Sequence, residues 1–183
     1  MQTTFKTLIC LVIAAIGFQP ALTAQESKAP KPGPEHKRLG YFVGKWSTTG
    51  EMKPSPMGPG GAITSADTCE WFEGGFAVIC RGDGKMPTGP SKTIGIIGYS
   101  SEDKVYTYYG VDNSGMIMSS VPRGTVQGDT WTYTDEGMMG GQKFKSRVTI
   151  KELSPTAYTF KMEMQGPDGK WGTLMESKST KGK

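Results

Sequence analysis

Few residues in this chain have the type and spacing that catalysis requires. His36 is the only histidine, and most nucleophilic triads need a histidine as the base. It lies between Glu35 and Lys37 in a stretch predicted to be a short helix, where we expect a solvated side chain. Serine, aspartate and lysine are abundant, but no spacing singles out a set of them. The sequence therefore predicts no catalytic residue.

The methionines are a second candidate for chemistry because a thioether pair can bind copper(I). Three pairs are close in sequence: Met116 with Met118, Met138 with Met139, and Met162 with Met164. The last pair shares a predicted inward face with Phe160, and methionine readily fills irregular interiors. We therefore expect ordinary packing, with no metal site and no cofactor, and keep a soft-metal (copper) site as an alternative.

Two cysteines, Cys69 and Cys80, flank a predicted β-hairpin. The Gly74-Gly75 pair between them can supply the positive φ angles of a tight turn. Folding on this pair places Trp71 opposite Val78 and brings the cysteines face to face. We expect a disulfide, although a strict two-residue turn would make them a hydrogen-bonded pair with a wide Cα separation, which a bulge would relieve. The spacing differs from Cys-x-x-Cys, which argues against a redox or metal site.

The first 24 residues have the order of a secretory signal peptide. Lys6 precedes an apolar run over residues 8–18, and small residues end at Ala24. The run is shorter than the roughly 20 apolar residues that cross a bilayer, so we expect no membrane span after its removal. Residues 25–33 are polar and proline-rich and predict a flexible lead-in. The protein is thus expected in the periplasm or outside the cell, where disulfides form.

Length and charge limit the classes of function. Residues 34–181 are enough for one domain with a sizeable core. Loss of Lys6 with the signal peptide lowers the formal net charge from +4 to +3, which gives little reason to expect a nucleic-acid partner. One predicted strand face is basic, and we expect it to be solvated: Lys143, Lys145, Arg147 and Lys151.

The elements that must carry these residues are β-strands. Polarity alternates with a period of two over residues 158–165 and 143–151, which is typical of antiparallel strands with one buried and one wet face. Turn signals recur about every ten residues and divide the chain into about ten strands in sequential hairpins. A single sheet of that size tends to close, so the sequence predicts an all-β, up-and-down antiparallel barrel.

Two segments interrupt this pattern. Residues 34–43 begin with proline and an acid and place Leu39, Phe42 and Val43 at helical spacing, which predicts one short helix before the first strand. Residues 52–62 contain three prolines and three glycines, so they cannot form a central strand. We interpret them as a loop over one barrel mouth.

Several motifs carry a resemblance to a known family. Leu39-Gly-Tyr-Phe-Val-Gly-Lys-Trp46 is followed by Ile94-Gly-Ile-Ile-Gly-Tyr-Ser100, Val111-Asp-Asn-Ser-Gly115 and Gly166-Pro-Asp-Gly-Lys170. Together they resemble a bacterial domain-of-unknown-function family of exported, lipocalin-like (calycin-type) barrels over residues 34–180. The resemblance implies a lipocalin-like barrel in which Gly44 and Trp46 are structural residues at the closed end. It implies no activity.

The opening motif is also loosely similar to that of nitrobindin-like haem barrels. Those proteins ligate iron through a histidine late in the chain, whereas the single histidine here precedes the barrel. The similarity therefore does not imply haem binding.

Our leading hypothesis is a non-enzymatic, exported barrel that binds a small apolar or amphipathic molecule. Its predicted ligand-binding residues face inward: Trp71, Trp131, Phe144, Tyr158, Phe160, Met162 and Met175. A structural or protein-interaction barrel with a filled interior is one alternative, and an enzyme of unknown chemistry is another. The first requires an exposed apolar patch, and the second requires titratable groups that converge inside the barrel. The sequence leaves the ligand and the oligomeric state open.

Overall fold

The computed structural model describes residues 29–55, 58–115, 120–139, 142–166 and 168–182. The predicted signal peptide, residues 25–28 of the predicted lead-in, and Met116 and Met118 lie outside these residues. One compact unit begins at Lys31 and contains every element described below.

Two short helical turns precede ten strands, as the sequence predicted. The α-helix α1 spans Pro34–Arg38 and a 3-10 helix follows at Leu39–Phe42. The strands are β1 (Gly44–Met52), β2 (Gly61–Trp71), β3 (Ala77–Met86), β4 (Gly89–Ser100), β5 (Val105–Asp112), β6 (Arg123–Gln127), β7 (Thr130–Met139), β8 (Gln142–Ser154), β9 (Ala157–Gln165) and β10 (Trp171–Lys181).

The strands form a closed antiparallel barrel with up-and-down topology. Each strand pairs with the next along the chain, and β1 returns to pair with β10. The closing ladder runs from Trp46 opposite Lys181 to Met52 opposite Met175. Each of these ten strands has a neighbour on both sides, which reduces the unpaired backbone groups that invite aggregation. The ladder between β5 and β6 is short, with two residue pairs. The predicted fold class is confirmed.

The predicted hairpin and its disulfide are both present. Cys69 lies opposite Cys80, and the two are bonded with a Cα separation of 4.0 Å. The loop differs from the expected two-residue turn, because the Phe72 N–H donates to the Ala77 carbonyl and closes a four-residue loop. Counting alternate pairs from this closure makes the cysteines a non-hydrogen-bonded pair, whose closer spacing suits a bridge. Loop length, not a bulge, therefore solves the geometric problem.

The alternation of exposure is clear on the first four strands and absent on β9. On β1, β2, β3 and β4 exposed residues regularly separate less exposed ones. On β9 almost every residue is partly buried, and the most buried residue is Glu163, on the outer face. Arg147 and Lys161 bind its carboxylate across and along the sheet. Polarity alternates on β9, but exposure does not.

The helical turns cover one end of the barrel. The Arg38 guanidinium pairs with Glu152, and the Tyr41 hydroxyl donates to the Ser154 and Ala157 carbonyls. Trp46, only 2% exposed, donates its indole N–H to the Phe42 carbonyl over 2.6 Å. These contacts lock the 3-10 helix onto the strands and define the closed end.

The expectation that His36 is solvated is wrong. The side chain is 6% exposed and lies edge-on to the rings of Phe76 and Tyr99, with centroids 5.1 and 5.4 Å away. Its Nδ1 accepts a hydrogen bond from the Gly33 N–H. The sequence concealed this burial because both flanking residues are charged and the covering rings come from the β2–β3 loop and from β4.

The segment 52–62 is a connection only in part, because Met52 ends β1 and Gly61 and Ala62 begin β2. The connection between these two strands lies at the end opposite the helical turns. The basic outer face of β8 is partly neutralised across strands, because Lys145 pairs with Glu136 and Lys151 with Asp129. In the described part of the chain, no helix has the length and apolar character of a membrane span.

Candidate ligand-binding site

The strand register separates inward from outward residues. Residues opposite each other in a ladder have side chains on the same face of the sheet. The side chain of Trp46 is buried inside the barrel, so the residues paired with it on β2 and β10 also face inward. Followed around the barrel, the pairing puts alternate residues of every strand on the inside. The inner wall then divides into a closed end, near the helical turns, and an upper half.

The closed end is solid. We call its inner cluster the floor, and it consists of Leu39, Phe42, Trp46, Val78, Tyr106 and Trp131. Trp131 is 0% exposed, and its ring centroid lies 4.9 Å from that of Phe42 and 4.8 Å from that of Tyr106. The Trp131 indole N–H donates to Glu152 over 2.6 Å. Every face of this ring is occupied by protein.

A short chain of hydrogen-bonded hydroxyl groups, which we call the relay, lies next to the floor on the side of the upper half. The Tyr158 ring packs 4.8 Å from Trp46, and its hydroxyl is hydrogen-bonded to Ser179. Ser179 in turn shares a hydrogen bond of 2.7 Å with Thr48. Burial raises the pKa of the Tyr158 phenol, which keeps this relay neutral. The relay marks the boundary between the solid floor and the upper half.

The upper half is more open on its inner side. Its apolar wall is formed by Phe144, Phe160, Met162, Met164 and Met175, each of which is only partly buried although the register turns it inward. Tyr108 faces the same way and is 37% exposed. These inward side chains keep accessible surface and are less fully covered than the floor, and we call the space that they border the lumen.

A carboxylate faces this lumen. Asp67 lies on β2 between the inward residues Ser65 and Cys69, opposite Trp46 on one side and Gly82 on the other. The Ser65 hydroxyl donates to Asp67 Oδ2 over 2.6 Å. A Cβ on Gly82 would lie 2.3 Å from Asp67 Oδ1 and 2.5 Å from Thr93 Oγ1. The carboxylate and the Thr93 hydroxyl therefore converge over Gly82, where a Cβ would displace both oxygens.

The phenol of Tyr108 completes this group. A Cβ on Gly95 would lie 3.1 Å from the Tyr108 hydroxyl, and one on Gly110 would lie 2.7 Å from it. The ring thus lies flat along the wall over two glycines. Burial, followed by the negative charges of Asp67 and Asp112, raises the pKa of this phenol. We call Ser65, Asp67, Thr93 and Tyr108 the Asp67 cluster.

The cluster has the properties of a recognition group. Removal from water raises the pKa of Asp67, and the hydrogen bond from Ser65 opposes that shift. Within the described residues Asp67 forms no ion pair, and no group of three or more His, Cys, Asp or Glu side chains could hold a metal ion. One carboxylate with three hydroxyls can accept and donate hydrogen bonds to a bound molecule.

The predicted ligand-binding residues fall into two groups. Phe144, Phe160, Met162 and Met175 line the lumen, and Tyr158 borders it. Trp131 belongs to the floor, and Trp71 is 41% exposed beside Gly40 at the closed end. Ligand contact by any of them stays a prediction.

Sequence reasoning missed the Asp67 cluster. The signal was present, because Ser65 and Asp67 have the same parity as Cys69, which the hairpin register ties to Cys80. Parity alone, however, does not tell which neighbouring strand supplies Thr93 and Tyr108.

The comparisons with known proteins address family and fold. Residues 31–181 match the family described as Protein of unknown function (DUF1579). The chain belongs to this family. No curated protein matches the chain. The fold of the chain is also similar to that of solved structures with low sequence identity, of which two are described here.

The first is Rv2717c from M. tuberculosis, at 12% identity and a TM-score of 0.58, covering 82% of this chain and 99% of that one. The second is the S-type phycobiliprotein lyase CPES from Guillardia theta, at 14% identity and a TM-score of 0.52, covering 81% and 93%. At such identities the likeness concerns the fold alone.

Proposed function

We propose that this family member binds a small apolar or amphipathic molecule inside its barrel, without catalysing a reaction. The observation that carries the proposal is the contrast within one interior. Trp131 and the rest of the floor are fully packed, whereas Phe160, Met162 and Met175 face inward and keep accessible surface. An apolar wall with a few convergent polar groups is the usual composition of a ligand site.

Catalysis has less support. General acid and base chemistry needs two groups with separated pKa values in one cleft. The Asp67 carboxylate accepts a hydrogen bond from the Ser65 hydroxyl, and among the described residues neither an acid nor a histidine is hydrogen-bonded to it. His36 is held at the closed end by Gly33, Phe76 and Tyr99, which also removes it as a candidate haem ligand in the lumen.

Protein interaction is the second candidate, and one observation favours it. The outer wall of β4 and β5 exposes four apolar side chains that neighbour one another in the ladder: Ile94 opposite Val111 and Ile96 opposite Tyr109. Contiguous exposed apolar groups are typical of contact surfaces. This patch lies on the opposite side of the sheet from the lumen, so the two functions are separable by mutation.

Export to the periplasm or medium is part of the proposal. The order of residues in the first 24 positions supports a cleaved signal peptide. The bonded Cys69 and Cys80 are compatible with an oxidising compartment. Residues 34–181 would then be the functional domain.

Native mass spectrometry of protein purified from its own host tests occupancy directly. We expect a fraction of the molecules to carry additional mass that dissociates on activation. Protein of the bare polypeptide mass alone, together with an interior that excludes xenon, would contradict the proposal.

A fluorescent probe tests the location. The neutral reporter N-phenyl-1-naphthylamine should gain emission on binding, and Phe160→Ala should weaken its binding about tenfold because a ring contact of about 1–1.5 kcal/mol is lost. Tyr109→Ala removes an aromatic ring from the outer wall of the same barrel and should leave the affinity unchanged. The reverse result would place the apolar contact on the outer wall and favour the interaction function.

A further inference from the structure

The structure assigns a ligand class to the lumen: we propose that the barrel selects an amphipathic molecule with a primary ammonium group, which binds at the Asp67 cluster while its apolar part contacts Phe160, Met162 and Met175. The inference rests on the proposed function and adds the charge and the orientation of the ligand.

The first observation is the arrangement of oxygen atoms. Ser65 engages Asp67 Oδ2, while Oδ1 points to the same place as Thr93 Oγ1, over Gly82. The Tyr108 hydroxyl lies on the adjoining strand pair, over Gly95 and Gly110. An ammonium group is a compact charge with three donors. The Asp67, Thr93 and Tyr108 oxygens supply acceptors for such a group.

The second observation is the sign of the charges inside the barrel. Above the floor, the ionisable acids and bases that the register turns inward in the described strands are Asp67, Asp112 and Asp135. The inward-facing Lys181 belongs to the closed end, where its Nζ lies 4.8 Å from the Trp46 ring and donates to the Tyr41 carbonyl. A lumen whose charges are all negative attracts cations and repels anions.

None of these three acids is neutralised by the described part of the protein. The Ser114 N–H donates to Asp112, and the Ser120 hydroxyl donates to Asp135. These are neutral donors, and the ion pairs of the described residues involve other acids. Asp67 and Asp135 are partly buried, whereas Asp112 is exposed. A partly buried carboxylate without a cation leaves a favourable interaction for a charged ligand to complete.

An organic cation fits the site better than a metal ion. Ca²⁺ takes six to eight oxygen ligands and Mg²⁺ takes six, whereas a single carboxylate lies at this position. The described residues contain no cluster of metal-ligating side chains. The adjoining wall of Phe160 and the methionines suits an apolar chain, and methionine adapts to irregular shapes.

Isothermal titration calorimetry with three eight-carbon probes tests the inference. n-Octylamine, 1-octanol and octanoate have the same apolar chain and differ in the charge of the head group. At pH 7.5 we expect octylamine to bind about tenfold more tightly than octanol and octanoate to bind least, since a hydrogen bond to a charged group contributes about 1.5–3 kcal/mol. Equal binding of amine and alcohol would overturn the inference.

Matched variants test the residue. Asp67→Asn should reduce octylamine affinity about tenfold and leave octanol unchanged. Asp83→Asn removes the same charge from the outer face of β3, where Asp83 pairs with Lys92, and should leave both unchanged. Loss of amine preference in Asp83→Asn but not in Asp67→Asn would contradict the assignment.

Glycine variants provide an independent test. Gly82→Ala should act like Asp67→Asn, because its Cβ displaces the Asp67 and Thr93 oxygens. Gly98→Ala on the outer face of β4 is the control. Binding of N-phenyl-1-naphthylamine by all variants shows that the lumen still binds apolar molecules. Failure of that probe and of all octyl compounds would instead refute the proposed function itself.

Discussion

The closed end and the upper half of the barrel are built from the same ten strands, yet one is solid and the other is open. At the closed end the 3-10 helix inserts Leu39 and Phe42 between aromatic rings of the strands, and Trp131 loses all access to solvent. In the upper half Phe160 and Met162 face inward and are only partly buried. The comparison teaches that the helical plug, not the number of strands, decides where a barrel is filled.

Truncation at the floor should have the largest effect on stability. Trp131→Ala leaves a cavity among packed rings and removes the hydrogen bond to Glu152, so we expect the free energy of unfolding to fall by about 3–5 kcal/mol. Urea denaturation followed by far-UV circular dichroism measures this loss. Phe160→Ala, the matched truncation in the upper half, should cost clearly less. Equal losses would break the comparison, because they would show that both halves are equally packed.

The disulfide should come second. Cys69 and Cys80 join β2 to β3 between the floor and the Asp67 cluster. A loop of this length contributes about 3 kcal/mol or less. Adding tris(2-carboxyethyl)phosphine should lower the melting temperature of the wild type and leave the double variant Cys69→Ser/Cys80→Ser unchanged. A reductant effect of the same size in the double variant would assign it to something other than this bond.

The smallest effect concerns the charge of Asp67. Glu152 at the closed end pairs with Arg38, whereas Asp67 forms no ion pair within the described residues. Burial raises the pKa of Asp67 above its ordinary value of 3.8. Between 3.8 and the folded-state pKa the folded protein binds more protons than the unfolded chain, so stability falls as pH rises through that window.

Asp67→Asn removes this dependence. We therefore expect the variant to gain stability relative to the wild type between pH 3.5 and pH 7, measured by urea unfolding at both values. A difference that is the same at both pH values would show that the upper half solvates its carboxylate as well as bulk water does.

Much of the fold was predictable because it is local. Glycine pairs and the two-residue alternation fixed the strands and turns, and the register of one hairpin placed Cys69 opposite Cys80. The short helix followed from its proline and its apolar spacing. These features depend on residues close in sequence, whose turn chemistry and periodicity are visible in the chain itself.

The parts that were not predictable depend on closure. The rings of Phe76 and Tyr99 bury His36, and the residues near His36 in sequence do not indicate these contacts. Trp131 was expected in the binding site but is part of the floor, because the helical turns reach across to cover it. The Asp67 cluster assembles from β2, β4 and β5, so its chemistry appears only when the ladders are known.

The glycines beneath the inward side chains set the width of the hollow. Because Gly95 and Gly110 lack a Cβ, the Tyr108 ring packs directly on the backbone of the wall, and Gly124 has the same effect for Tyr133. Gly82 leaves space for the Asp67 side chain. A methyl group at any of these sites would tip the overlying group toward the barrel axis. Glycine-to-alanine substitutions at these positions should therefore narrow the interior in small steps, while the backbone hydrogen bonds of the barrel are kept.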